Sequence, residues 1–505
     1  MSEPARPTEL TVPAGQPSER LGGTRVPVPP ALLERWQAAG IAVSADPGER
    51  AWAGRDWWPL SIGWAARGAL PAVPAVVVAP RSTAEVSAVL AACNEAGVPV
   101  TPVGGGSGVC GGSVPVFGGV SLDLRALAGL HDLDEVSLVA DVGAGTFGGD
   151  LDVALSAVGP GYTVGHRPQS VAISTVGGWI ACRGAGQYST RYGKIEDLVV
   201  GLEVVLADGT VVRTDGRAPR AATGPGLSQL FVGSEGTLGV ITSARLRVAP
   251  APQAEVRRAF GFGSFAEGLH ACRQILRRGA TPAVLRLYDR TESMRHFDAE
   301  TCVLIVLDEG DRAIVDASAA VCDQACAGAT RLDDALVARW LEERNDTSAL
   351  GPLWQAGIVV DTIEVAGRWS VLATLADQVV AALQDLEGTL AASVHQSHAY
   401  PDGACLYFTV AGRRPDRSPD PELQASWQEA YYRAAWETAL RPVVEHGAAI
   451  SHHHGIGLNR GRFLEASLGS SFAVLRALKA AVDPNGILNP GKLGLDSPFG
   501  PPPWP

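Results

Sequence analysis

Two short stretches hold the residues best suited to chemistry, and a third holds a tyrosine that its own pattern would make a packing residue. Ser451 to Gly457 reads SHHHGIG, so His452, His453 and His454 are adjacent. Packing gives no reason for three neighbouring histidines, and imidazoles that titrate near neutrality suit proton transfer. A solvated loop and a metal site are the other readings. On an extended strand, neighbouring side chains point to opposite faces, so His452 and His454 could share a metal and His453 could not. No acidic or Cys partner is obvious nearby, and no metal is expected. Pro401 to Val410 (PDGACLYFTV) puts Tyr407 on an alternating strand, where a tyrosine is ordinarily a packing residue. Thr281 to Asp289 (TPAVLRLYD) puts Arg286 in an apolar strand. A buried cation is costly unless paired, which points to an anion contact.

A second kind of signal is glycine. Pro102 to Gly112 reads PVGGGSGVCGG, with Gly104, Gly105, Gly106, Gly108, Gly111 and Gly112 within nine residues. Bare backbone directly after a strand can turn successive N–H groups toward one anion, as a pyrophosphate cradle requires. A flexible surface turn is the plain alternative. Two stretches also match GxGxxG, Gly106–Gly111 and Gly143–Gly148. A dinucleotide fingerprint needs a helix opening inside the motif and an acid about 20 residues on. Pro115 and further glycines follow the first match, and no acid lies between Asp152 and Glu196 after the second. A Rossmann domain is therefore not expected.

These residues must be carried by a scaffold of strands and helices. Ala75 to Pro80, VPVTPV, GVSLDL, LVADVGA, DLVVGLEVVLADGTVVRT and TLGVITSARLRVAP read as strands. RSTAEVSAVLAACNEAG reads as a helix capped by Ser82 or Thr83 and closed at Gly97. Helices are expected at Phe265–Arg277 and Trp369–Leu386, and strands at Cys302–Leu307 and Ala404–Val410. The class is α+β. Residues 1–28, rich in Pro, Gly and charge, read as a mobile tail. Five tryptophans, Trp36, Trp52, Trp57, Trp58 and Trp64, mark a packed N-terminal layer.

Composition narrows the partners. Lys+Arg number 41 against Asp+Glu 53, a net charge of -12. That balance argues against nucleic acid or an anionic membrane, though a few local arginines can still build an anion pocket. The eight cysteines show no CxxC spacing, which fits a reducing compartment. No signal-like start and no apolar run long enough to span a bilayer is seen, so a cytoplasmic protein is expected.

Residues 166–214, together with PVGGGSG and GSEGTLGVITSARL (233–246), resemble the FAD domain of the vanillyl-alcohol oxidase superfamily. Within it the chain is similar to the alkylglycerone-phosphate synthases and bacterial FAD-binding oxidases, from about residue 70 to 493. The resemblance implies a p-cresol methylhydroxylase-type FAD domain (29–250, core 71–250), an α/β cap over the substrate (251–435), and a C-terminal segment (436–505) that returns to the FAD domain. It implies non-covalent FAD, held by four stretches. The first is Pro102, Val103, Gly104, Gly105, Gly106, Ser107 and Gly108. The second runs from Gln169, where the synthases have Asp, through Ser170 to Ser174 and Thr175. The third is Cys182, Arg183, Gly184 and Ala185, of which Arg183 is retained. The fourth is Glu235, Gly236, Thr237, Leu238, Gly239, Val240 and Ile241. Tyr407 matches a catalytic tyrosine, His452–His454 an active-site triple histidine, and Arg286 an arginine near the flavin. Arg344 is the nearest candidate for an arginine that binds substrate phosphate. His395 and His398 lie upstream of Tyr407 and are weighed as further members.

The function expected from the resemblance is exchange of an acyl for an alkyl chain on dihydroxyacetone phosphate, without net redox, for ether-lipid synthesis. The alternative is an FAD-dependent dehydrogenase or oxidase of 2-hydroxy acids such as D-lactate or glycolate, which shares the Asn489–Leu493 ending NPGKL. A third reading is a flavin-binding or electron-transfer subunit, for which Tyr407 and the histidines would be superfluous. A small-molecule or lipid-like substrate is expected, and the relatives suggest a homodimer.

Overall fold

Residues 18–214, 221–346, 350–416, 420–502 and 504 are described by a computed structural model. The local signals act as physics requires. The helix Thr83–Ala96 opens with the Ser82 hydroxyl accepting from the Glu85 amide and closes at Gly97, φ 65, the left-handed position that glycine fills without strain. It follows the three-valine strand Val76–Ala79.

Two sheets build the N-terminal domain. The first contains Ala42–Ser44 (β1), Val76–Ala79 (β2), Val100–Val103 (β3) and Val120–Asp123 (β4), in the order β1-β2-β4-β3. β2, β4 and β3 run parallel, so the glycine loop after β3 leaves from their common C-terminal edge. The second contains Leu130–Asp134 (β5), Val139–Gly143 (β6), Val199–Val205 (β7), Val211–Arg213 (β8) and Val240–Arg247 (β9). Its order is β8-β7-β9-β6-β5, antiparallel throughout. β6 leads into Gly143–Gly148 and the helix Gly148–Ser156, but an antiparallel strand cannot form the βαβ unit of a dinucleotide fold. Those glycines serve close packing: a Cβ on Gly145 would lie 2.2 Å from the Leu124 carbonyl oxygen.

The cap is one seven-stranded antiparallel sheet. It comprises Ala254–Phe262 (β10), Val284–Tyr288 (β11), Cys302–Gly310 (β12), Thr330–Leu332 (β13), Ile358–Arg368 (β14), Thr389–Ala399 (β15) and Gly403–Arg413 (β16). The order is β13-β10-β12-β11-β15-β16-β14. Leu285 and Leu287 of β11, Ile363 and Val365 of β14, Val394 of β15, and Leu406, Phe408 and Val410 of β16 share a core with the helices Phe265–Arg277, Trp369–Gln384 and Pro421–Glu445. Side chains alternate along a strand. Arg286, Glu364, His395 and Tyr407 therefore fall on the other face. A register shift between Ser397 and Ala399 puts His398 at φ 49. Such a bulge re-aims a side chain, and it brings His398 to the face that carries His395.

Two boundaries differ from the sequence reading. The helix Pro421–Glu445 runs unbroken through residue 435 and packs on the cap; its continuous apolar face overrides any break there. Residues 18–28 are not a loose tail. Ser18 and Glu19 pair with Ala69 and Leu70, Arg20 binds Glu429 through two 2.8 Å bonds, and the Val26 amide donates to Phe117. Residues 1–17 of that expected tail lie outside the described residues. The tryptophan-rich layer packs on the cap, with Trp58, Trp64 and Trp504 edge to face at 5.3 to 6.1 Å.

The C-terminal segment returns to the first sheet, where the Val100 amide donates to Ile487 and the Asn489 amide to Val100, both at 2.8 Å. Buried Lys479 fixes this return. Its ammonium donates to the Thr237 and Leu488 carbonyls at 2.8 Å and pairs with Asp483. Lys479→Met leaves Asp483 buried and unpaired. It should lower unfolding free energy by about 3 kcal/mol, read by urea denaturation; an unchanged midpoint would show that the return needs no such tie.

Candidate active site

A buried carboxylate organises the site. Glu364 on β14 and Arg460 are both fully buried and meet at 2.9 Å. The carboxylate also accepts from the Ser451 hydroxyl at 2.8 Å and from the backbone amides of His452 and, at 2.9 Å, His454. Arg460 donates further to the Ile450 carbonyl at 2.7 Å. The triple-histidine loop is thus wrapped around one side chain. Burial pushes the Glu364 carboxyl up, but Arg460, His454 and these amides outweigh it and hold it below its ordinary value. It stays an anion.

Strand register lines up the rest. Tyr407 sits across from Glu364 on one side and His395 on the other, and the Tyr407 and His395 rings stack at 4.8 Å. The Tyr407 hydroxyl meets His453 Nε2 at 2.7 Å, and His453 Nδ1 meets His452 Nδ1 at 2.9 Å. One proton must lie between the two Nδ1 atoms. If His453 donates it, Nε2 is free to accept from Tyr407. If His452 donates it, His453 Nε2–H donates to the phenol oxygen, and the phenol proton is free for a substrate. Exchange between the two arrangements needs both rings to change tautomer, and it switches Tyr407 between the two roles. Burial, Cys405 and Glu364 keep the phenol well above its ordinary pKa, so it is protonated. Burial likewise holds His452 and His453 well below theirs, so they are neutral. His398 stacks on His452 at 5.0 Å and bonds Ser189 Oγ, which also bonds Tyr400 Oη.

A cationic side adjoins this relay. Arg286 Nη2 meets His395 Nε2 at 2.7 Å, and its guanidinium carbon lies 5.9 Å from the Tyr407 ring centre. Arg344, at the end of the helix Ala335–Glu343, donates to Gln187 at 2.9 Å and lies 5.6 Å from the Trp340 ring. Arg286 shares that ring at 5.8 Å.

The four glycine- and hydroxyl-bearing stretches converge although they span residues 102–241. A Cβ on Gly104 would stand 2.3 Å from Thr175 Oγ1, one on Gly105 1.9 Å from the Ile173 carbonyl oxygen, and one on Gly236 2.9 Å from Pro102. Gly455, beside the histidines, approaches Glu235 and Cys182 in the same way. The Glu235 carboxylate accepts from Gly457 at 2.8 Å, and Glu235 carries φ 50, a strained value for a residue with a side chain. Bare glycine backbone at this junction fits a pyrophosphate cofactor. His452 Nε2, His395 Nδ1 and Arg286 Nε are buried and without a hydrogen-bond partner among the described residues, and are suited to face its ring or a substrate. Ser107, Gly106, Gly108 and Val103 lie in the first stretch; Gly184 and Ala185 follow the short helix Val176–Ala181.

Not every anticipated side chain points inward. Arg183 is half exposed and pairs with Glu196 at 3.2 Å. Gln169 is exposed. Ser174 spends its hydroxyl on Ser170 and Trp179, and Leu238, Val240 and Ile241 are core residues. Thr237 bonds Ser234. The alternation argument for the histidines also fails, because the loop bends around Glu364 and is not an extended strand. Ring nitrogens of His398, His452 and His453, not of His452 and His454, lie within 4.8 Å of one another, though four nitrogens of these rings already bond Ser189, Tyr407 and each other. Glu364, Arg460 and Ser189 were not legible as site residues.

Two outcomes follow. Tyr407→Phe removes the relay's hydroxyl and should cut turnover at least about 100-fold with little change in fold, checked by steady-state kinetics; near-normal turnover would remove Tyr407 from the chemistry. His454 is held near pKa 4, mainly by burial, against 6.5 ordinarily. The unfolded chain binds its proton first as pH falls. Stability should therefore drop between pH 6.5 and 4, by at most about 1.4 kcal/mol per pH unit for this group. His454→Gln should lose that slope in pH-dependent urea unfolding, and an identical slope would contradict the shift.

Comparison with known proteins gives the family. The FAD binding domain family matches residues 74–215, and the FAD linked oxidases C-terminal domain family matches 251–493. The FAD-linked oxidoreductase YgcU of Escherichia coli K12 is 32% identical, over 83% of this chain and 89% of its own. The alkyldihydroxyacetonephosphate synthase of Dictyostelium discoideum is 30% identical, over 83% of this chain and 73% of its own. Glycolate oxidase subunit GlcD of Bacillus subtilis is 29% identical, over 83% and 89%. A solved alkyldihydroxyacetonephosphate synthase superposes with TM-score 0.74 at 25% identity, covering 95% of this chain and 89% of that one. The converging glycine stretches, the Tyr–His relay and these likenesses agree: the chain belongs to the FAD-linked oxidases of the vanillyl-alcohol oxidase and p-cresol methylhydroxylase superfamily, and it is an FAD-dependent enzyme.

Proposed function

We propose that this enzyme catalyses an exchange of the alkylglycerone-phosphate synthase type, replacing an acyl by an alkyl chain on a dihydroxyacetone phosphate ester. The observation that carries this reading is Arg344. It is half-buried, donates to the neutral acceptor Gln187, lies against the Tyr188 and Trp340 rings, and shares the Trp340 ring with Arg286, so that a substrate anion held there would lie near Tyr407. Burial first, then the like charge of Arg167, draws its guanidinium below its ordinary pKa, against an opposing pull from Tyr188. An incoming anion relieves both. Tyr407 and His453 would take and return the proton at the reacting carbon, and neutral His452 would receive it from His453. FAD, when bound, supplies a two-electron acceptor to that carbon. The four stretches from Pro102 to Ile241 would hold it non-covalently; Cys110, in the glycine loop, is buried and its thiol pushed well up, chiefly by that burial, which disfavours a thiolate attachment.

A second reading has its own support. Arg286, bonded to His395 beside Tyr407, is placed to take a carboxylate next to the reacting carbon, as oxidation of a 2-hydroxy acid would need. Anaerobic mixing of oxidised holoenzyme with glycolate or D-lactate separates the two. The exchange reading predicts no bleaching of the flavin band, and release of fatty acid when acyl-dihydroxyacetone phosphate and a fatty alcohol are supplied. Bleaching by a hydroxy acid, without exchange, would overturn it in favour of oxidation.

A further inference from the structure

We propose that Arg167 joins Arg344 in a two-arginine clamp, walled by Tyr188, that recognises a phosphate-type dianion on the substrate. The inference deepens the reading above by naming a residue that no motif assigns. Tyr188 is a buried ring. The guanidinium carbon of Arg344 lies 5.2 Å from its centre and that of Arg167 lies 5.5 Å from it. Two like charges on one ring repel each other. Elsewhere in this acidic chain such arginines meet carboxylates, as Arg191 meets Asp308 at 3.1 Å and Arg125 meets Asp123 at 2.6 Å. Among the described residues no carboxylate forms an ion pair with Arg167 or Arg344. Asp152 is near enough to feel both charges, but its own carboxyl is raised, chiefly by burial. Arg167 Nε is buried without a hydrogen-bond partner among the described residues. The cluster therefore has no ion-pair partner among the described residues, and Asp152 and Glu309 act on it only from a distance.

The clamp is coupled to the relay by position. Tyr188 precedes Ser189, which bonds His398 at 2.8 Å. Arg344 shares the Trp340 ring with Arg286, which reaches His395. A carboxylate needs one planar guanidinium, whereas a phosphate dianion offers three oxygens and two charges and is satisfied by two. The arrangement thus selects for a phosphate ester whose ester end lies one layer of side chains away from Tyr407.

The test measures binding, without turnover, so it stands or falls apart from the exchange assay. Oxidised holoenzyme is titrated calorimetrically with inorganic phosphate and, separately, glycolate. Phosphate should bind and glycolate should not compete with it. Arg167→Gln should weaken phosphate at least tenfold with FAD content and thermal midpoint unchanged, and Arg167→Lys should restore part. Glycerol 3-phosphate and short-chain phosphatidic acid, titrated in parallel, tell a small ester from a lipid one; either binding tighter than phosphate, with the gain lost in Arg167→Gln, supports the clamp. Equal phosphate affinity in Arg167→Gln, no phosphate binding by the unaltered enzyme, or a defect confined to FAD content would overturn it.

Discussion

The buried pair of Glu364 and Arg460 is the constraint from which the active site follows. Isolated, either charge would be very costly inside the protein; removing one partner of such a pair typically costs about 3–5 kcal/mol. The carboxylate of the pair is held by a single loop, Ser451 to His454, whose hydroxyl and amides donate to it. That loop must curl to reach the carboxylate, and curling turns His453 toward Tyr407, directly across the sheet from Glu364. One interaction therefore joins cap strand, histidine loop and C-terminal segment.

Burial does the second part. The histidines sit in an apolar, stacked environment that keeps them neutral, and the phenol is kept protonated for the same reason. A neutral chain of Tyr407, His453 and His452 can exchange tautomers without creating charge, whereas burial makes any ionised arrangement of it costly. Positive charge with no ion-pair partner among the described residues gathers on the other side, at Arg286, Arg344 and Arg167. A substrate anion would bind where charge is lacking and leave its reacting carbon beside groups that carry none.

Much of this was legible in the sequence. β-Branched runs and caps placed the strands and helices, the cost of burying a charge marked Arg286, and the family resemblance alone marked Tyr407. What pairs those strands was not legible. Glu364 reads as an acid in an apolar run until register sets it across from Tyr407. His398 has the wrong parity for the site until a bulge, invisible in composition, re-aims it. Arg460 lies only six residues after His454, yet its value comes from a carboxylate on another strand. The tail reading of residues 18–28 failed for a related reason: Pro, Gly and charge are also what a strap uses to pair at an edge and bind Glu429.

The most direct test of the account is the nitrogen-15 spectrum of the imidazoles in the holoenzyme and in its Glu364→Gln variant, followed from pH 8 to 5. In the unaltered enzyme the triple-histidine rings should stay neutral across that range, with one hydrogen-bonded Nε2 assigned to His453. In the variant the loop should lose its anchor, the His453 signal should lose that bond, and the rings should titrate closer to 6.5. Rings that titrate ordinarily in the unaltered enzyme, or spectra that are the same in both proteins, would contradict the claim that Glu364 holds the relay in place.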